Sequence, residues 1–387
     1  MSARQIPQVS IYHSILWSKY KGVVFSEVYS QSNDRGVETS FIQVAETEVQ
    51  RVGLTGIDLS YHRYPYRLLF HGAYENVPLY RRVIALARDV IKNRSDLIVL
   101  PNYDRIEYWV MLGLCMLLRR KRAVICDSTG HDSARQPWKE VAKRVFFRHC
   151  DGYFCYGIRS KQYLLSYGVD EVKIKYRRQA AALPHEYHSQ RICAYYQNAP
   201  LASSAAPSFL YIGRFSKEKG LFDLLDAFHD LRKKLPASTL NLVGDGPLKS
   251  SLAERVAALG LGSSVTFRGS MNLEKIAPFL LASSALVLPS RHEPWGLVVN
   301  EALSYGCPVV VSDVCGCVPE LVRDGVTGFS FPVGNVAALS QAMLAAVALS
   351  ADRPSVAKRC LDVIAAYSPQ NSASQMLDGC IQIIAAA

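Results

Sequence analysis

The sequence predicts an α/β protein of two doubly wound units, and three observations carry that expectation. Short apolar runs alternate with helix-like stretches along most of the chain. Its 387 residues exceed what one hydrophobic core usually organises. A small, polar stretch, NAPLASSAAPS (198–208), interrupts the alternation near the middle and reads as a linker. The units expected are 1–200 and 201–387.

In the first unit QVSIYH (8–13), TSFIQV (39–44), DLIVL (96–100) and AVIC (123–126) read as strands, with helices between them such as LYRRVIALARDVIKN (79–93). In the second, FLYI precedes the loop GRFSKEKG (213–220) and the amphipathic helix LFDLLDAFHDLRKKL. Later ALVLPS (285–290) reads as a buried strand, GLVVNEALSYG as a helix ending at Gly306, and PVVVSD as the next strand. Helical segments after Asp352 finish the chain. Open α/β sheets bind ligands beyond the carboxyl ends of their strands, so the strand-to-helix loops hold the candidates.

Two loops stand out. In PSRHEPWGLVVNEALSYGCPVVV (289–311), Glu293 and Glu301 flank a turn at Gly296 that opens a helix. The N–H groups and positive dipole end near Gly296, Leu297 and Val298 suit a diphosphate. Glu301, a turn and a half in, can accept from two vicinal ribose hydroxyls, and Glu293 can hold hydroxyls of a sugar. In GRFSKEKG, Gly213 and Gly220 supply backbone freedom. Arg214 and Lys219 supply a forked guanidinium and a point charge for two phosphates.

The composition is that of an ordinary globular protein, 49% hydrophobic and 20% charged, which excludes a disordered chain. The net charge of +11 lies wholly in residues 1–200, with 29 Lys+Arg against 18 Asp+Glu; residues 201–387 carry 15 of each. A basic half-protein faces nucleic acid, a membrane surface or an anionic substrate. The basic clusters lack interleaved stacking aromatics, so nucleic acid is not expected, and an anionic leaflet or lipid-linked phosphate acceptor is the simpler partner. No run reaches the roughly 18 apolar residues of a membrane span. The longest, YWVMLGLCMLL (108–118), precedes RRKR (119–122) and reads either as a buried helix with a solvated basic end or as an interfacial helix on anionic lipid. Ten cysteines without paired CxxC spacing read as reduced thiols, Cys315 and Cys317 included, and point to the cytoplasm.

From about Phe209 to Ala345, the GRFSKEKG loop, NLVGDGPLKSSL (241–252), VTFRGSM (265–271), the paired glutamates and GCVPELVRDGVTGFSFP (316–332) resemble the C-terminal half of the family 4 glycosyltransferases. That family has the GT-B fold, two Rossmann-like domains facing a central cleft. The resemblance implies that Arg214 and Lys219 bind the donor diphosphate, Glu301 the ribose and Glu293 the transferred sugar. It also implies that the segment holding Arg268 lines the base and that the last helix returns to the first domain. In the first half the resemblance is weaker. SKYKGVVFSEVY (18–29) offers Gly22 and Lys21 where many members carry a Gly-Gly pair, and AALPHEYH (181–188) replaces the usual Pro-Asn-Gly turn. His131 in STGHD (128–132) matches a histidine that contacts the sugar in many members.

These readings together imply a retaining hexosyltransferase that uses a UDP or GDP sugar without a metal, since no Asp-x-Asp occurs, and serves polysaccharide or lipopolysaccharide biosynthesis. The alternatives are a GT-B sugar-nucleotide epimerase, which needs no acceptor, and a catalytically silent partner subunit.

Overall fold

The computed structural model describes residues 6–49, 56–130, 136–176, 178–198 and 206–386. The chain forms two compact units, one from residues 1–182 with 368–387 and the other from 183–367.

Among the described residues unit 1 holds seven strands, β1 (Gln8–Ile15), β2 (Glu38–Ala45), β3 (Tyr66–Leu68), β4 (Leu97–Leu100), β5 (Lys121–Cys126), β6 (Gly152–Cys155) and β7 (Ile174–Tyr176), in the order β3-β2-β1-β4-β5-β6-β7. All pairings are parallel. Every residue of β4 is buried, as expected of a parallel strand covered on both faces. The helices are α1 (Lys19–Ser32), α2 (Leu79–Lys92), α3 (Ile106–Leu117), α4 (Pro137–Arg148) and α5 (Ile158–Ser166). The strand order reverses direction between β1 and β4. Right-handed crossovers therefore place α1 on one sheet face and α2, α3 and α4 on the other.

Unit 2 opens with α6 (Ser189–Asn198) and holds β8 (Ser208–Ile212), β9 (Thr239–Val243), β10 (Val265–Gly269), β11 (Ala285–Leu288), β12 (Val309–Ser312) and β13 (Gly328–Phe331). Its sheet is also parallel, in the order β10-β9-β8-β11-β12-β13. Its other helices are α7 (Leu221–Arg232), α8 (Lys249–Ala258), α9 (Leu273–Ala282), α10 (Leu297–Ser304), α11 (Val318–Leu321), α12 (Val336–Leu349) and α13 (Arg353–Ile364). Phe209, Tyr211, Phe215, Leu224 and Phe228 are fully buried in its core. Burying each such side chain stabilises the unit by about 1.5–3 kcal/mol.

The boundary between units lies at Ala182/Leu183, a correction to the expected 200/201. The reason is α6, which packs on α13. Tyr196 of α6 donates to the Tyr305 carbonyl at 2.9 Å and accepts from Arg353 at 3.0 Å. Residues 199–205 of the expected linker lie outside the described residues. The last helix, α14 (Pro369–Ala385), belongs to unit 1. It seats on β6 because a glycine on each side lets them approach closely: a Cβ on Gly152 of β6 would stand 2.2 Å from Ile383, and one on Gly379 of α14 2.6 Å from Phe154. Lys121 donates to the carbonyls of Ile383 (3.1 Å) and Ile384 (3.0 Å), a cation placed where the helix end is negative.

Candidate functional site

The strand order of unit 2 reverses between β8 and β11, and such a switch point opens a crevice beyond the strand ends. The GRFSKEKG loop leaves β8, and the Glu293 loop leaves β11. Parallel pairing of Ala285 with Phe209 and of Leu286 with Leu210 puts those two loops side by side.

The contact between them is specific. Gly220 adopts φ 65°, closes the 3-10 turn Lys217–Lys219 and starts α7. A Cβ there would lie 2.1 Å from the Pro289 carbonyl oxygen, so only glycine fits both the backbone and the space. The Glu218 carbonyl accepts from Arg291 N–H at 2.7 Å, and Arg291 grips Asp223 of α7 at 2.7 and 2.8 Å. With the loops so fixed, Lys219 Nζ reaches Glu293 Oε2 at 2.5 Å, both side chains mostly buried. Ser290 Oγ lies 3.5 Å from the same carboxylate oxygen. An ammonium has three donors, so Lys219 can hold Glu293 and still offer two to an anion.

Behind Glu293 stands a third loop, after β12. Gly316 N–H donates to the Glu293 carbonyl at 2.9 Å and Cys317 N–H to the Trp295 carbonyl at 3.0 Å. A Cβ on Gly316 would lie 1.8 Å from the Pro294 carbonyl oxygen. The sequence placed Cys315 and Cys317 as packing thiols, and both are fully buried. The supporting part of Gly316 was missed. Its only signal was a glycine between two apolar positions of a short loop.

Gly296, at φ 100°, begins α10. As the first helical residues, Leu297 and Val298 present N–H groups that have no carbonyl within the helix. Glu301 lies on the next turn, half-buried, and its carboxylate has no hydrogen-bond partner among the described residues. Burial alone pushes its carboxyl up to about 7. A partly buried carboxylate with unused acceptors is costly by itself and is relieved by hydroxyl donors. Trp295 is buried and donates to Asn300 at 2.8 Å, so it packs the loop against α10.

Arg214 is exposed beside Gly213, in the same loop as Lys219. Arg268 is not drawn in. Its Nε donates to Asn241 at 2.9 Å and its guanidinium lies over Phe279 of α9, and among the described residues it bonds none of the other candidates.

Gly22 needs a correction. It stands in the first turns of α1, not in a loop, and a Cβ there would lie 2.8 Å from the Tyr61 carbonyl oxygen and 2.9 Å from the His62 ring. Its small size serves the packing of α1 on the 3-10 turn Leu59–Tyr61. Neighbouring Lys21 is buried and donates to the Tyr156 hydroxyl. His131 lies outside the described residues. The segment that replaces the Pro-Asn-Gly turn ties itself to α10, where Tyr187 donates to the Ser304 carbonyl at 2.7 Å.

The family model described as "Glycosyl transferases group 1" matches residues 197–359. Among curated relatives, a glycogen synthase of Mycobacterium tuberculosis is 35% identical over 150 residues, 39% of this chain and 35% of that protein. The lipopolysaccharide core biosynthesis glycosyltransferase LpsE of Rhizobium meliloti is 31% identical over 181 residues, 46% of this chain and 50% of LpsE. The matched part of the chain thus spans between 35% and 50% of these two relatives. Among solved structures, Anabaena HepE in complex with UDP and glucose superposes with a TM-score of 0.71 at 18% identity, covering 97% of this chain and 100% of HepE. The apo form of the lipopolysaccharide outer core galactosyltransferase WaaB gives 0.70 at 14% identity, covering 97% and 99%.

Proposed function

Proceeding from a chain that is a GT-B protein like the family 4 glycosyltransferases, we propose that it moves a hexose from a nucleotide diphosphate sugar to a lipid-linked or growing surface glycan, with retention at the anomeric carbon. The observation that carries this reading is the Lys219–Glu293 pair standing at the switch point with Glu301, whose carboxylate has no partner among the described residues. Lys219, Arg214 and the N–H groups of Leu297 and Val298 bind the diphosphate. They compensate its charge as the bond to the anomeric carbon breaks, a preorganised electrostatic role. Glu293, fixed from behind by Gly316, orients the transferred sugar by its hydroxyls. Glu301 takes the ribose hydroxyls, and the exchange of a desolvated, empty carboxylate for a hydrogen-bonded one adds to affinity. Arg214 and Lys219 supply the charge that a cation supplies elsewhere, so transfer proceeds in EDTA. The enzyme acts at the cytoplasmic face, where nucleotide sugars and lipid-linked acceptors meet.

Support comes from the relatives that bear transferase names and from HepE, whose structures hold UDP, UDP with glucose, and UDP-glucose. The test is a thermal-shift panel of UDP, GDP and ADP sugars in EDTA, with Lys219→Ala as control. Stabilisation by one nucleotide family that vanishes in the variant is expected. No shift from any of them refutes the donor site, and isomerised free nucleotide sugar without transfer selects the epimerase.

A further inference from the structure

We propose that the outer face of the α2–α3–α4 layer in unit 1 docks on an anionic lipid bilayer, with α4 lying in the interface. The proposal deepens the reading above by giving a lipid-linked acceptor its surface, but it is argued from unit 1 alone.

The three helices form one layer: α2 packs on α3, and Trp109 of α3 meets Phe146 of α4 at 5.1 Å. Their outer side is apolar to a degree a hydrated surface does not require. On α4, Trp138 (68% exposed), Val141 (63%) and Val145 (45%) recur at helical spacing along one stripe. Tyr80 and Ile84 continue the pattern on α2, and Leu117 at the end of α3 is 78% exposed. Scattered apolar residues mean nothing, but a stripe on neighbouring helices marks a contact surface.

Charge decides the partner. The three carboxylates of these helices are all engaged within unit 1. Asp89 accepts from Tyr12 at 2.7 Å, Glu107 from Tyr74 at 2.6 Å and Arg82 at 2.8 Å, and Glu140 from Tyr167 at 2.6 Å and Lys143 at 3.1 Å. By contrast Arg81, Arg88, Lys139, Arg144 and Arg148 have no ion pair among the described residues and lie exposed. A surface with apolar side chains set among unpaired cations, and with its acids neutralised, is complementary to acyl chains beneath anionic headgroups. Trp138 suits the boundary, and the long basic side chains can snorkel to the phosphates. Nucleic acid is the poorer partner, because Ile84, Val141, Val145 and Leu117 gain nothing against a hydrated phosphate backbone. No described helix is long and apolar enough to cross a membrane, so the contact is with the surface.

The test is co-sedimentation of the full chain with vesicles of phosphatidylcholine alone and of phosphatidylcholine mixed with phosphatidylglycerol. Binding to the mixed vesicles that weakens with salt is expected. Arg144→Glu combined with Arg148→Glu lowers partitioning on the order of a hundredfold, given that each basic residue near the surface contributes a several-fold factor. Trp138→Ala lowers it about tenfold through lost apolar burial. Both variants keep the parent unfolding temperature, since the altered side chains are exposed. Lys219→Ala, defective in donor binding, sediments like the parent, which separates failure of this proposal from failure of the donor site. Equal binding to both vesicle types, insensitivity to both α4 variants, or tighter binding to a single-stranded RNA oligonucleotide that the α4 variants abolish would each overturn it.

Discussion

Replacing Glu301 by Gln tests the donor site through stability, without knowledge of the acceptor. In the folded protein the Glu301 carboxyl is pushed up to about 7 from an ordinary value of 4.5, and burial is the sole cause. The folded state therefore holds a proton more tightly than the unfolded chain. Between pH 4.5 and 7 the folded state binds more protons, so stability falls as pH rises. The penalty is absent below 4.5 and complete above 7. At about 1.4 kcal/mol per unit it amounts to about 3 kcal/mol at most, reduced by the water that reaches a half-buried group. Glu301→Gln has the same shape and no charge to desolvate, so the variant should unfold at a higher temperature than the parent at pH 8 and at nearly the same temperature at pH 5. It should also lose the nucleotide-sugar shift seen by the parent at pH 8. In the parent that shift should weaken as pH drops through 7, because hydroxyls donate best to the ionised carboxylate and the diphosphate diester does not titrate there. The measurement is calorimetric unfolding of both proteins at the two pH values, with and without nucleotide sugar. A gap between variant and parent that is the same at pH 5 and pH 8 would refute the reasoning, and so would a variant that still binds the donor.

Lys219→Ala and Glu293→Ala should each lower transfer by about 10²–10³-fold, the cost of removing one preorganised charge or donor, with circular dichroism unchanged; near-normal turnover in both would sink the assignment. Gly220→Ala should destabilise unit 2 by at least about 2 kcal/mol, from the left-handed backbone and the Pro289 clash, and appear as a lowered denaturation midpoint. Gly22→Ala should lower stability by about 1–3 kcal/mol through overpacking against Tyr61 and His62, while calorimetric donor affinity stays at the parent value; a donor affinity that falls instead would return Gly22 to the site.

Much of the fold was legible because parallel strands buried on both faces are written as apolar runs. QVSIYH became β1, DLIVL became β4, ALVL became β11 and PVVVSD held β12; α2 ends at Lys92, and the helix expected to end at Gly306 ends at Ser304. The candidate residues Arg214, Lys219, Glu293, Gly296 and Glu301 were legible because loops between strand and helix advertise themselves by glycine and charge. Gly22 was expected in a loop and stands instead in α1, because a glycine near a helix start looks alike in the sequence whether or not the carbonyl of Tyr61 packs against it. The contacts of the Arg268 guanidinium with Asn241 and Phe279 were not legible, because nothing in VTFRG tells of them.

By itself, the sequence determined the alternation of strands and helices, the two-unit α/β class and the chemistry available in each loop, since hydrophobic period and residue type are local properties. Only the tertiary structure decided that α6 belongs with the second unit and that the loops after β8, β11 and β12 meet. It brought Lys219 to Glu293 across 74 residues of chain, left the Glu301 carboxylate without a partner among the described residues and pressed Gly316 against Pro294. Those outcomes depend on strand order and on which carbonyl stands within 3 Å of a given Cβ, and residues far apart in sequence settle both only when the sheet assembles.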